Sequence, residues 1–137
     1  PNLYAITLLR VILPLSMLIL HGLPKLLKYS SLATRFPDPL GIGSQASLSL
    51  VIFAEVGCAF LVTLGVLTRI SIIPLIITMG VAVFMFHSAD PVSAKELPFI
   101  YLTGFTSILL LGTGPLGLTK KRKKSKNKII NWLLETK

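Results

Sequence analysis

Apolar positions fall into four long runs, separated by short polar breaks: Leu3–Tyr29, Ser47–Val66, Ile70–Phe86 and Leu97–Gly112. Each is close to the ~20 residues that a helix, rising 1.5 Å per residue, needs to cross ~30 Å of hydrocarbon. Only helices and closed barrels satisfy every backbone group in lipid. The runs lack the two-residue alternation of barrel strands, so they predict four helices. The breaks carry turn chemistry. Arg35–Ser44 holds two prolines and two glycines, and Ser44 is predicted to cap the second helix. Gly65 followed by Thr68-Arg69 predicts a tight turn capped by Thr68. Asp90-Pro91 ends the third helix. The fourth begins either at a Ser93–Glu96 capping box or at Pro98. Pro14 and Pro74 lie inside helices and predict kinks. The class is all-α: a polytopic membrane four-helix bundle, up-down-up-down, over residues 1–118, then a polybasic tail over 119–137. Within the tail, Ile129–Leu134 can place its aliphatics on one face, as a short amphipathic helix on the membrane surface does.

Composition supports the bilayer as solvent. Of 137 residues 53% are hydrophobic and 14% charged, too few polar groups to cover a soluble domain. That excludes a soluble enzyme and a disordered chain. The formal net charge of +9 is uneven: the tail carries eight basic residues and one acid, the rest six and four. A lysine run directly after an apolar helix reads as a cytoplasmic anchor facing anionic lipid, not as a nucleic-acid surface. With four crossings, both termini are then cytoplasmic. Lys25 and Lys28, near the outer end of the first helix, are the contrary signal. The first run lacks the basic start and small-residue cleavage site of a signal peptide. Cys58 is the single cysteine, so no disulfide forms within the chain.

Ionisable groups at membrane depth are costly and need a reason. Arg10 and His21, eleven apart, fall on one helical face, and Lys25 follows His21 by four. Glu55 lies near the middle of the second helix, at a depth expected between Arg10 and His21. The expectation is a buried cluster of these cations with Glu55, in which a basic partner keeps the carboxylate ionised. One reading is a structural ion pair locking helix one to helix two. The other is a polar pocket between those helices, suited to a ligand with an oily body and a polar head. Gly22, Gly57, Gly65 and Arg69 are assigned to structural turns; Ala54, Gly57, Cys58 and Ala59 would let a neighbouring backbone approach. His21 with His87 could ligate haem b, but only Gly22 and Ser88–Ala89 make room for one, and methionines in apolar helices are usually filler. The sequence has no zinc-ligand set, Ser-His-Asp arrangement, nucleotide loop or iron–sulfur cysteine set. No metal site is therefore assigned.

His21-Gly22-x-x-Lys25-Leu26, the upstream Arg10, Glu55-x-Gly57, Gly65-x-x-Thr68-Arg69 and Gly112-x-Gly114 together resemble the DoxX family of small four-helix membrane proteins. The resemblance covers roughly residues 5–117. One departure is that Gly114-Pro115-Leu116-Gly117-Leu118 leads straight into lysines, where many relatives carry a Ser-Leu-Asp-like segment. The resemblance implies a bacterial or archaeal cytoplasmic (inner) membrane and a quinone- or redox-linked subunit, with quinone as the possible bound cofactor. On that pattern His21 and Lys25 would donate to a quinone oxygen, Glu55 would be the proton partner and Arg10 would set the charge balance. A partner membrane or redox protein would carry the electrons. The alternative is a non-catalytic structural or assembly subunit of a larger membrane complex.

Overall fold

The computed structural model describes residues 3–118 and 125–134. The lysine run Lys120–Lys124 and the last three residues lie outside the described residues. Four helices are long and apolar enough to cross a membrane: α1 (Tyr4–Leu27), α2 (Ser44–Leu64), α3 (Thr68–Phe86) and α4 (Val92–Leu111). A short helix, α5 (Lys128–Leu133), follows. No strand occurs among the described residues.

Paired positions fix the register. Tyr29 meets Ser49, Lys25 meets Glu55, and Arg10 meets Val62 and Thr63, so α1 and α2 run in opposite directions. Ser16 meets Tyr101 on α4, and Arg69 meets Leu109 and Leu110, which sets α4 against α1 and α3 in the same way. The core where the four spans meet includes Met17, Ala59, Val62, Ile72, Leu75, Phe105 and Ile108. The outward faces stay apolar, with Leu8, Phe53, Phe60, Ile77, Phe84 and Leu110 exposed. A water-soluble bundle would place polar residues there; these faces suit acyl chains.

The helix ends differ from the expected caps. Ser44 is the first helical residue and its hydroxyl does not cap; Gly43, at φ 101°, occupies the cap position. The carboxylate of Asp38 instead accepts from the Ile42 and Gly43 N–H groups and from Ser47 Oγ. A carboxylate reaches several donors at once, which a serine hydroxyl does not. Thr68 likewise sits inside α3, preceded by Leu67 in the left-handed region at φ 46°. α4 begins at Val92, before the Ser93–Glu96 box, and runs on through Pro98. Gly65 closes α2 at φ 71°, where Val66 N–H reaches Leu61 O and Gly65 N–H reaches Val62 O. That pairing satisfies two orphan carbonyls and needs glycine's freedom at positive φ. Gly22 and Gly57 are not in turns: both lie inside continuous helices.

Three spans contain a π-turn, at Leu18–Gly22 in α1, Phe53–Cys58 in α2 and Ala82–Phe86 in α3. Each closes with a bond five residues back: Leu23 to Leu18, Ala59 to Ala54 and His87 to Ala82. In α1 the π-turn is followed by Pro24, which has no N–H to continue the four-residue ladder. A π-turn widens the helix and inserts about one residue, rotating the remainder of the helix by ~100°.

Candidate functional site

The ionisable side chains of the spans divide between two ends of the bundle. Eleven residues at 1.5 Å each separate Arg10 from His21 by about 16 Å along the axis. One carboxylate cannot serve both. Glu55 lies opposite Gly22 and Lys25, not midway towards Arg10. The expected cluster of Arg10, His21, Lys25 and Glu55 is therefore split.

Arg10 serves the far end. It is 2% exposed, and its Nη1 donates to Val62 O (2.9 Å) and Thr63 O (2.6 Å), its Nη2 to Leu116 O (3.3 Å). Val62 and Thr63 lie in the last turn of α2; Val62 O, already taking the Gly65 N–H, accepts a second bond on its other lone pair, and Thr63 O lies where carbonyls lack the four-residue partner. A buried guanidinium with a fork of donors satisfies several of them and ties in the segment after α4. A Cβ on Gly65 would come within 2.8 Å of Arg10 Nη1. Arg10 thus joins the end of α2 to the segment after α4, away from Glu55.

At the other end Lys25 Nζ donates to Glu55 Oε2 at 2.6 Å, with the two side chains 25% and 4% exposed. Lys25 Nζ also donates to His21 O at 3.3 Å. The close approach of α1 to α2 depends on Gly22, whose added Cβ would stand 2.7 Å from Glu55 O. The His21 ring meets Tyr101 of α4 edge-on, with centroids 5.6 Å apart and planes at 84°. The Tyr101 hydroxyl pairs with Ser16 Oγ at 2.9 Å, so the tyrosine is held at its polar tip and along its ring.

These groups border a cavity of about 470 Å³. It is lined from all four spans, by Met17, His21 and Lys25, by Leu50 and Glu55, by Met79, Ala82 and Phe86, and by Leu97, Pro98 and Tyr101. It therefore does not lie between α1 and α2 alone. Phe36, Pro37, Pro39, Leu40 and Ile42 close it from the α1–α2 loop, and His87 lines it from the end of α3. His87 Nδ1 pairs with Asp90 Oδ2 at 2.7 Å. All three π-turns contribute lining residues: His21, Glu55 and Phe86. Such turns recur at functional sites because the widened backbone re-aims side chains.

Sequence reasoning missed Tyr101, the loop residues and the π-turns. Tyr101 carries a signal, a phenol in an apolar run that needs a partner when buried. So does the loop, whose Phe36, Leu40 and Ile42 are unusually apolar for a turn. The π-turns carry none beyond Pro24. Among the described residues no group of three His, Cys, Asp or Glu side chains comes together as a metal site would require. Cys58 is buried and unbridged.

A family model described as DoxX matches residues 5–88. The match spans α1, α2 and α3 and includes Arg10, His21, Lys25, Glu55 and His87. No curated protein and no solved structure matches the chain significantly.

Proposed function

The chain belongs to the DoxX family, and from that premise we propose that it is a quinone- or redox-linked subunit of the cell membrane, with the cavity as its binding site. The observation that carries this reading is the Lys25–Glu55 ion pair set in the wall of a largely apolar cavity. Its volume of about 470 Å³ lies within the ~300–1,000 Å³ usual for small-molecule sites. Phe36, Phe86 and Tyr101 offer flat walls to a ring, and Lys25 offers an ammonium to a carbonyl oxygen. The residues present therefore fit a quinone head group. A bound quinone would supply the electron- and proton-accepting chemistry. Lys25 would orient one oxygen, Glu55 would hold Lys25 in place, and Tyr101 would fix the His21 ring at the cavity wall. Electrons would reach the site from a partner membrane or redox protein. By the basic tail, the Arg10 end would be cytoplasmic with both termini, and the cavity would lie towards the opposite face.

The protein purified in mild detergent is expected to retain quinone, read by solvent extraction and chromatography. Glu55→Gln is expected to lose it while keeping its helical circular dichroism. A charge-assisted hydrogen bond contributes about 1.5–3 kcal/mol, so the loss is roughly ten- to hundredfold in affinity. Equal quinone retention by Glu55→Gln, His21→Ala and Lys25→Met would defeat the proposal. Co-purification with neighbours in fixed ratio, disturbed by the same variants, would favour an assembly subunit.

A further inference from the structure

At the end away from the cavity, Arg69 joins three parts of the chain. Its Nε donates to Leu109 O (3.0 Å) and its Nη2 to Leu110 O (3.3 Å), capping two of the last carbonyls of α4. Its Nη1 donates to Trp132 O (2.9 Å), and the guanidinium lies 4.4 Å from the centroid of the Trp132 ring. Arg69 stands just after the turn between α2 and α3, so α5 is held where three spans end. The helix is itself well formed: Asn127 Oδ1 accepts from the Ile129 and Ile130 N–H groups, and Asn131 pairs with Ser125 through both its amide atoms.

On the α5 wheel, Ile129, Leu133, Ile130 and Leu134 occupy one arc and Lys128 the opposite side, with Trp132 at the border. Leu133 and Leu134 are partly covered, whereas Ile129 and Ile130 are 68% and 42% exposed. The apolar arc thus starts against the bundle, and its outer residues are left uncovered by the described residues. Leu110 and Leu111 of α4, beside the Arg69 contacts, are exposed at the same end. Lys128 is exposed on the side opposite the arc, and Lys126 is exposed just before the helix.

We propose that α5 is a membrane-surface foot: Ile129 and Ile130 insert at the headgroup boundary, Lys126 and Lys128 bind anionic lipid headgroups, and Arg69 sets its position through Trp132. Bilayer lipid is the occupant because one short helix carries exposed aliphatics on one side and Lys128 on the other, with Lys126 just before it, and because Arg69 holds it at the α4 end where Leu110 and Leu111 are also exposed. A tryptophan at the border belongs at the same level. The proposal stands independently of the cavity and its ligand.

Trp132 is the single tryptophan of the chain, so its emission reports on α5 alone. The full chain would be placed in nanodiscs of phosphatidylcholine, or of phosphatidylcholine with roughly one third phosphatidylglycerol. In the anionic discs, Trp132 emission is expected further to the blue and more strongly quenched by acyl-brominated lipid, and high salt reverses the difference. Lys126→Gln with Lys128→Gln is expected to abolish the dependence on lipid charge. Arg69→Gln is expected to shift emission to the red in both discs. Emission and quenching that are identical in neutral and anionic discs would overturn the proposal. So would a response to added polyglutamate peptide with none to lipid charge, which would make α5 a protein-docking segment. The lysine pair lies outside the bundle, so the test survives if Arg69→Gln fails to fold.

Discussion

Lys25 and Glu55 show how a polar pair is tolerated in oil. Each group removed from water loses its hydration, and only a close, well-aligned partner offsets the loss. Taking away Lys25 alone leaves a carboxylate that is 4% exposed without its cation. Lys25→Met is expected to destabilise the protein by about 3 kcal/mol, the lower end of the range because Lys25 keeps part of its side chain exposed. Lys25→Met with Glu55→Gln is expected to recover most of that loss, since no charge is then buried unpaired. Thermal unfolding of the two single variants and the double variant in one detergent checks this. Simple additivity would show that the pair is not coupled. Arg10 is a different case, because it donates to the backbone carbonyls of Val62, Thr63 and Leu116 and so ties the end of α2 to the segment after α4. Residue type alone did not separate these two uses of buried charge.

Among the elements, the loop between α1 and α2 stands out. Its apolar residues line the cavity, and the Asp38 carboxylate ties it to Ile42 and Gly43 just before α2 and to Ser47 in the first turn. The Ser47 hydroxyl first, then the Gly43, Ile42 and Gly41 N–H groups, hold the Asp38 carboxyl below its ordinary range. A lowered carboxyl stabilises the closed loop above the ordinary aspartate range, and that contribution is lost as pH falls through the lowered value. Wild-type loop opening is therefore expected to rise in acid, while Asp38→Ala is expected to be open at neutral pH. A Val51→Cys reporter in a Cys58→Ala background, labelled with a pyridyl disulfide that reacts in acid, reads both. Labelling is expected to be several-fold faster in Asp38→Ala at neutral pH and insensitive to acid. A flat wild-type profile matching that of Asp38→Ala would show that Asp38 is no latch. The π-turns belong to this scale too. They interrupt the 3.6-residue period on which face-sharing arguments rest, and His21 lies within one of them.

Across the whole molecule the ionisable groups of the spans divide between the two ends of the bundle. One end carries Arg10, Arg69 and α5, and closes on backbone carbonyls; the other carries the cavity with Lys25, Glu55, His21 and His87. If lysine bias sets the insertion, the first end is cytoplasmic. In a Cys58→Ala background, Ser88→Cys is expected to react with a membrane-impermeant maleimide added to intact cells, and Ser125→Cys only after permeabilisation. The reverse pattern would place the cavity on the cytoplasmic side. The bundle also explains why so little of each span is buried: only a stripe of each helix meets its neighbours, and the remainder faces lipid.

Four long apolar runs between turn-forming breaks were enough to determine the class, the number of spans and the break at Gly65, because burial in hydrocarbon leaves the backbone almost no other choice. The identities of the ionisable residues also singled out Arg10, His21, Lys25 and Glu55 as groups that need partners at membrane depth, since charge in a bilayer is costly. Which cation Glu55 meets, what Arg10 holds, how a loop covers the cavity and where Arg69 pins Trp132 were decided only by the tertiary structure. Those outcomes depend on the relative depth and rotation of segments up to a hundred residues apart. A shift of one helical turn, or one added residue in a π-turn, changes every partner without altering the hydrophobic pattern that builds the spans.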